Sequence, residues 1–115
     1  MGKENRKPIV YISGPITDMP ELNYPEFKHA EEKINALGLD TLVPHDFFQD
    51  IDTGGFIHND YMRVCIAEMM KADLVVTLKD WELSKGCKME VNIAREIEIP
   101  VIHIVSFLEK HAKAH

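Results

Sequence analysis

The sequence predicts a three-layer α/β sandwich built on a parallel sheet in the strand order 2-1-3-4. Two observations carry that expectation. Four short apolar runs, Pro8–Ser13, Leu39–Val43, Leu74–Leu78 and Pro100–Val105, read as strands, and helical patterns alternate with them. Strands apolar on both sides belong to sheets covered on both faces, and alternation of strand and helix gives parallel neighbours. The 115 residues contain no linker and no internal repeat, so 1–115 is read as one domain.

The elements follow in order. Pro8–Ser13 is β-branched and ends at Gly14-Pro15, a strand stopped by a turn. A helix is expected from Asn23, with Asn23 as its cap, Pro25 in its first turn and Gly38 as its stop. Tyr24, Phe27, Ala30, Ile34 and Leu37 form its apolar stripe. After the second strand, Pro44–Ile57 reads as an irregular loop, and a loop of that length in a small domain is often functional. The next helix is expected over His58–Ala72, with His58 and Asn59 capping it. Its wide apolar band of Tyr61, Met62, Cys65, Ile66, Met69 and Met70 suits either deep burial or a partner subunit, hence an expected homo-oligomer. Asp73 opens the third strand as a structural residue, and Lys79–Lys85 leads to a helix over Gly86–Ile97. A short Lys/His-rich helix ends the order.

Right-handed crossovers put the first and third strands side by side, the doubly wound Rossmann/flavodoxin-like arrangement, with ligands at the strands' carboxyl ends. That edge collects Gly14–Leu22, Pro44–His58 and Lys79–Glu90. His45 and Asp46 lie there too, read as a polar turn.

Composition narrows the function. A formal net charge of −6 argues against a nucleic-acid polymer as partner, and the basic residues Lys3, Arg6, Lys7, Lys110 and Lys113 are too few to reverse it. No apolar run approaches the roughly 18 residues of a membrane helix, and MGKENRKP carries no apolar signal region, so a cytoplasmic protein is expected. Cys65 and Cys87 lack CxxC or Cys/His spacing, so neither a metal nor another cofactor is expected, and Cys65 reads as a small buried hydrophobe. The P-loop, the dinucleotide fingerprint and the nucleophile elbow are all missing, and Ser13-Gly14-Pro15 stands where a phosphoacceptor receiver would carry carboxylates.

What remains is a carboxylate in an unusual place. Glu90 is expected in the first turn of the third helix, pointing inward beside the apolar line Met89, Ile93 and Ile97. A desolvated carboxylate is costly unless paired or hydrogen-bonded. One there, kept ionised by the helix dipole and amides, suits nucleophilic or electrostatic work at an anomeric carbon. Ser84 and Gly86 upstream suit an anion at the helix start. The plainer alternative is a helix-dipole residue worth about 0.3–1 kcal/mol. Trp81 either stacks on a base or packs over its own domain.

The run Tyr11-Ile12-Ser13-Gly14-Pro15-Ile16 resembles the opening strand and loop of the nucleoside 2-deoxyribosyltransferase superfamily. Ala72–Val76, then Ser84-x-Gly86-x-x-x-Glu90 and Pro100-Val101-Ile102 continue the resemblance in order. With Tyr61-Met62-Arg63 and Trp81–Glu90, the chain is most similar to a bacterial and phage group of that superfamily. The resemblance implies that Glu90 is a nucleophile receiving the 2-deoxyribosyl group and that Tyr11 lies beside it. It also implies substrate contacts from Ser13, Gly14, Pro15, Ile16, Trp81, Ser84 and Gly86. Serine rather than aspartate at Ser84 is similar to the 5′-monophosphate N-hydrolases, where it contacts the phosphate. Two positions depart from the pattern: Thr17 replaces an arginine, and Cys65 falls near the sugar-binding aspartate. Asp60 is then the substrate-side carboxylate left to expect.

The resulting expectation is cleavage or transfer at the N-glycosidic bond of a 2′-deoxynucleoside or its 5′-monophosphate. The alternatives are a nucleotide-binding or sensing module without turnover, and a structural homodimer without ligand.

Overall fold

The computed structural model describes residues 7–113; Lys3 and Arg6, counted above among the basic residues, lie outside them. Strand β1 (Ile9–Ser13) is central, flanked by β2 (Asp40–Leu42) and β3 (Leu74–Thr77), with β4 (Val101–His103) beyond β3. All pairings are parallel and the order is 2-1-3-4, as expected. Edge strands are three residues long and only partly buried, whereas β1 and β3 are buried along most of their length. Short edges offer little free backbone for pairing with another chain.

Four helices cover the sheet: α1 (Tyr24–Ala36), α2 (His58–Met69), α3 (Lys85–Glu96) and α4 (Ile104–Lys113). Alternation along β1 divides the interior. Val10 and Ile12 join Phe27, Ala30 and Ile34 of α1 and Phe107 of α4 in one core. Tyr11 turns to the other face, with Cys65 and Met69 of α2 and Ala94 of α3. Strand period 2 thus gives each face its own set of β1 side chains.

Asp73 has the structural role expected: Ile9 N–H donates to its carboxylate at 2.8 Å, and its own N–H donates to the Ile9 carbonyl at 2.8 Å. This clasp fixes the β1–β3 register at the edge away from the strands' carboxyl ends.

Several boundaries and caps differ from the expectation. β4 stops at His103 because Ile104 and Val105 already belong to α4, where the His103 Nδ1 accepts the Val105 N–H at 3.2 Å. Asn23 does not cap α1 through its side chain, which instead donates to the Pro15 carbonyl at 2.9 Å. Glu21, Leu22 and Asn23 are left-handed, with φ of 51°, 54° and 58°. Such residues cost about 1–2 kcal/mol each outside glycine. The Asn23 bond and a 2.8 Å contact from His45 Nε2 to the Leu22 carbonyl hold the turn. His58 and Asn59 do not cap α2; Asp60 accepts the Ile57 N–H at 2.9 Å. Of the α2 band, which suits either deep burial or a partner, Met62, Cys65 and Met69 are buried within the domain while Tyr61 and Met70 stay exposed.

Gly14 marks where β1 and the end of β3 come closest. A Cβ there would lie 2.8 Å from Leu78 Cδ1 and 3.0 Å from its Cβ and Cγ. Because Leu78 Cβ cannot rotate away, Gly14→Ala is expected to destabilise the fold by about 1–3 kcal/mol, the usual cost of overpacking. Chemical denaturation measures it, and an unchanged midpoint would mean that the strand ends separate freely.

Candidate active site

β1 brings Tyr11 and Ser13 to one face of the sheet, and α3 lays Glu90 upon them. Tyr11 O–H donates to Glu90 Oε2 at 2.5 Å, and Ser13 O–H donates to Oε1 at 2.7 Å. Each carboxylate oxygen therefore receives one hydroxyl. Tyr11 and Ser13 are fully buried, and Glu90 is 5% exposed. Alternation along β1 supplies the two donors at i and i+2, and the helical face Cys87, Glu90, Val91 and Ala94 supplies the carboxylate.

The helix start differs from the expectation in a way that matters. Ser84 is the N-cap, its Oγ accepting the Cys87 N–H at 3.2 Å, so α3 begins at Lys85 and Glu90 stands in its second turn. Dipole stabilisation falls off within the first turn, so it does not account for Glu90. Nor do amides hold the carboxylate, since its hydrogen bonds come from two hydroxyls. Ile97, expected on the apolar line, is exposed.

The electrostatics follow from that burial. Desolvation raises the Glu90 carboxyl above its ordinary 4.5, and the Tyr11 and Ser13 hydrogen bonds oppose the rise only in part. Burial, then the Glu90 charge, pushes the Tyr11 hydroxyl well above its usual range, so it remains a donor at neutral pH. Cys65 lies beside Tyr11, its thiol pushed up to about 12 by burial and then by Glu90. Burial likewise raises the Cys87 thiol, against hydrogen bonding from Ser84 and Ser13. Two protonated thiols thus flank the carboxylate. Among the described residues, no group of three or more His, Cys, Asp or Glu side chains is arranged to hold a metal ion.

The other expected site residues divide. Gly14 and Pro15 are buried at the strand end, Gly14 against Leu78 and Pro15 as acceptor for Asn23. Ile16 packs on the α1/α4 core, the face opposite Glu90. Asp60 is engaged in capping α2, not with Glu90. Gly86 adjoins α2, where a Cβ would lie 3.0 Å from Met62 Sδ and 3.6 Å from His58 Cε1; it permits helix contact more directly than ligand approach. Trp81 is half-buried in a short 3-10 turn before Ser84. His45 and Asp46 lie in a short 3-10 turn after β2, as the polar-turn reading expects, and the His45 ring also packs against Phe27 at a centroid distance of 4.7 Å.

Two neighbours were not legible as site residues. Phe47, from the loop after β2, stacks on Tyr11 with centroids 6.1 Å apart and planes at 28°. Phe48, Tyr61 and Phe56 extend the aromatic row across the loop. The adjacent Phe47-Phe48 pair in the loop after β2 was the available signal. Cys65 reads in sequence as a small buried hydrophobe near the position of the resemblance's sugar-binding aspartate, and its place beside Tyr11 comes from the fold.

A family model described as a domain of unknown function, DUF4406, matches residues 8–103. The chain belongs to that family. Among curated proteins no match was found. A solved structure titled as a conserved protein from Enterococcus faecalis V583 is similar, with a TM-score of 0.62 and 20% identity over 85% of this chain. The chain spans 63% of that protein's length, and the likeness extends to the fold. The DUF4406 match takes in Tyr11, Ser13 and Glu90 and all four strands. No helix among the described residues is long and apolar enough to cross a membrane.

A raised Glu90 has a sign that can be measured. Because the folded carboxyl keeps its proton to higher pH than the unfolded one, folding takes up a proton above 4.5. Glu90 therefore favours the fold most below that value and loses this contribution as pH rises through the raised one. Glu90→Gln is expected to flatten this part of the stability profile, gaining on wild type as pH rises from 4 toward 8. Urea midpoints across that range test it; a gain that grows toward acid would show a depressed carboxyl. By carbon NMR, Tyr11→Phe should push Glu90 higher still, since it removes a donor to the charged form.

Proposed function

We propose that this domain cleaves or transfers at the N-glycosidic bond of a 2′-deoxynucleoside or its 5′-monophosphate, with Glu90 as nucleophile. The observation that carries the reading is a buried carboxylate gripped by two hydroxyls and flanked by no cation among its hydrogen-bond partners. A structural carboxylate in that position would be expected to have an Arg or Lys partner, since burying an unpaired charge is costly. The resemblance of Tyr11–Ile16 and Trp81–Glu90 to the nucleoside 2-deoxyribosyltransferases supports it.

In this mechanism a Glu90 oxygen attacks C1′ as the C1′–N bond breaks. The departing base takes the bonding electron pair and acquires a proton from solvent. The hydroxyls of Tyr11 and Ser13 hold the carboxylate square to the sugar and release it as charge moves to the new ester bond. Water then attacks C1′, giving up a proton and freeing the carboxylate; an acceptor base in its place completes a transfer. Desolvation makes the carboxylate a stronger base and so a stronger nucleophile once ionised, which sets an acid limit at its raised pKa.

A second reading, a nucleotide-binding module without turnover, rests on Cys65. It stands near the position where the resemblance places a sugar-binding carboxylate, and its protonated thiol is a weak donor.

Glu90→Gln preserves volume and removes the charge an oxocarbenium-like centre requires. It is expected to lower base release by about a hundredfold or more, or about 2.7–4 kcal/mol by analogy with oxyanion-type stabilisation. Both proteins are incubated with each deoxynucleoside and 5′-monophosphate, with and without acceptor base, and the products are chromatographed. Undiminished release by the variant removes Glu90 from the mechanism. No release by wild type from any substrate favours the binding module.

A further inference from the structure

The Glu90 site is shut in this structure. Tyr11 and Ser13 are fully buried, Glu90 is 5% exposed, and each carboxylate oxygen already holds a hydroxyl. A ligand reaches that carboxylate only if something packed around it moves. Besides α3, which carries Glu90, the core around Tyr11 is covered by α2 through Cys65 and Met69, and by the loop after β2 through Phe47 and Phe48. These two covers are held very differently. α2 is a hydrogen-bonded helix buried at Met62, Cys65 and Met69, and Asp60 clasps the Ile57 N–H at its start.

Residues 47–56 have no such ties. Among the described residues, their hydrogen bonds stay within the segment or reach only the turn before it. Phe47 N–H donates to the Pro44 carbonyl at 3.0 Å, Ile51 N–H to Phe48 at 3.3 Å, Phe56 N–H to Thr53 at 2.9 Å, and Gly54 N–H to the Asp52 carboxylate at 3.0 Å. Phe47, Phe48, Thr53 and Phe56 are half-buried and the rest of the segment is exposed. What holds it down is a row of rings: Phe47 on Tyr11 at 6.1 Å, and Phe48 and Phe56 each on Tyr61 at 5.2 Å. Both flanks are anchored, by His45 on Phe27 and the Leu22 carbonyl, and by Asp60 on Ile57. Gly55, at φ +88° with open space around it, lets the chain turn between them. The local hydrogen bonds travel with the segment, so lifting it breaks ring contacts and no sheet or helix pairing. Openings of that kind lie at the low end of a protein's stability scale.

We infer that residues 47–56 form an aromatic lid over the Glu90 site, closed in this structure, which opens between His45 and Ile57 to uncover Tyr11 and Cys65. Phe47 closes the Tyr11 end, and the contacts of Phe48 and Phe56 with Tyr61 close the α2 end. Opening leaves the sheet and the α2/α3 packing in place. Closing keeps water from the hydroxyl–carboxylate bonds, which are stronger in dry surroundings. The lid itself rests on packing alone; its use in admitting a nucleoside rests on the glycosidic reading.

Alkylation of the two native thiols tests it on the full chain. Cys65 belongs to the core on which Phe47 and Phe48 pack, whereas Cys87 lies on α3 next to the Gly86 contact with α2. The protein is treated with iodoacetamide in water and in urea below its unfolding transition, and each cysteine's peptide is followed by mass spectrometry. Cys65 is expected to react at least about tenfold faster than Cys87, at a rate nearly independent of urea, because a lid exposes little surface when it opens. Phe47→Ala and, separately, Phe56→Ala should each raise the Cys65 rate at least about threefold and leave Cys87 unchanged. Phe56→Ala deletes a ring away from Tyr11, so it serves if Phe47→Ala does not fold. Two results overturn the inference. One is a common rate for both cysteines with a steep urea dependence, which is global unfolding alone; the other is a Cys65 rate that neither ring deletion changes. Lid-dependent labelling without base release from any substrate upholds the lid and counts only against the glycosidic reading.

Discussion

The structure depends on placing one carboxylate inside the domain. Glu90 is 5% exposed and bonded only to the hydroxyls of Tyr11 and Ser13, which themselves are fully buried. A buried group of this kind is expensive unless its acceptors are satisfied, so the surrounding elements are tied to one geometry. β1 must present residues two apart to the same face, and α3 must start where Glu90 falls above them. The Ser84 cap sets that start, and the approach of α3 to α2 at Gly86 sets its height. Hydroxyl donors lower the cost of the charge without neutralising it, which is why burial dominates and the carboxyl is raised. The contribution of such a group to stability falls as pH rises through its raised pKa.

Most of the fold was legible because its signals are local. Pro8–Ser13 and Leu74–Leu78 are largely apolar on both sides, which suits strands covered on both faces, and crossover handedness with the doubly wound pattern gives the order 2-1-3-4. The end of β4 was not legible, because Ile104 and Val105 continue the β-branched run of Val101 and Ile102, while in the fold they open α4, with the Val105 N–H donating to His103 Nδ1. Asn23 was misread for a related reason. It has the residue type of a cap, and its amide is claimed by Pro15, eight residues back across a turn. Propensity identifies which residues can satisfy a backbone group, not which group they reach.

The site was legible to a different depth. Glu90 stood out as an acid on the inward side of an amphipathic helix, and Tyr11 and Ser13 share a strand face by period 2. Phe47 and Cys65 required long-range geometry, since they reach Tyr11 from a loop and from α2. The motif Ser84-x-Gly86 was legible as a pattern but not as a role. In the fold Ser84 is spent on the Cys87 amide and Gly86 on Met62. A serine oxygen that accepts a cap bond still has its proton to donate, so capping and ligand contact remain compatible at Ser84.

The two faces of the sheet are chemically unlike, and β1 is the reason. Tyr11 and Ser13 carry hydroxyls to the α2/α3 side, while Val10 and Ile12 give the α1/α4 side nothing but hydrocarbon. A buried carboxyl group with its two hydroxyl donors thus lies on one face and packed hydrocarbon on the other, with the Gly14–Leu78 contact at the strand ends. Strand alternation, the simplest regularity in the sequence, is what makes that separation possible.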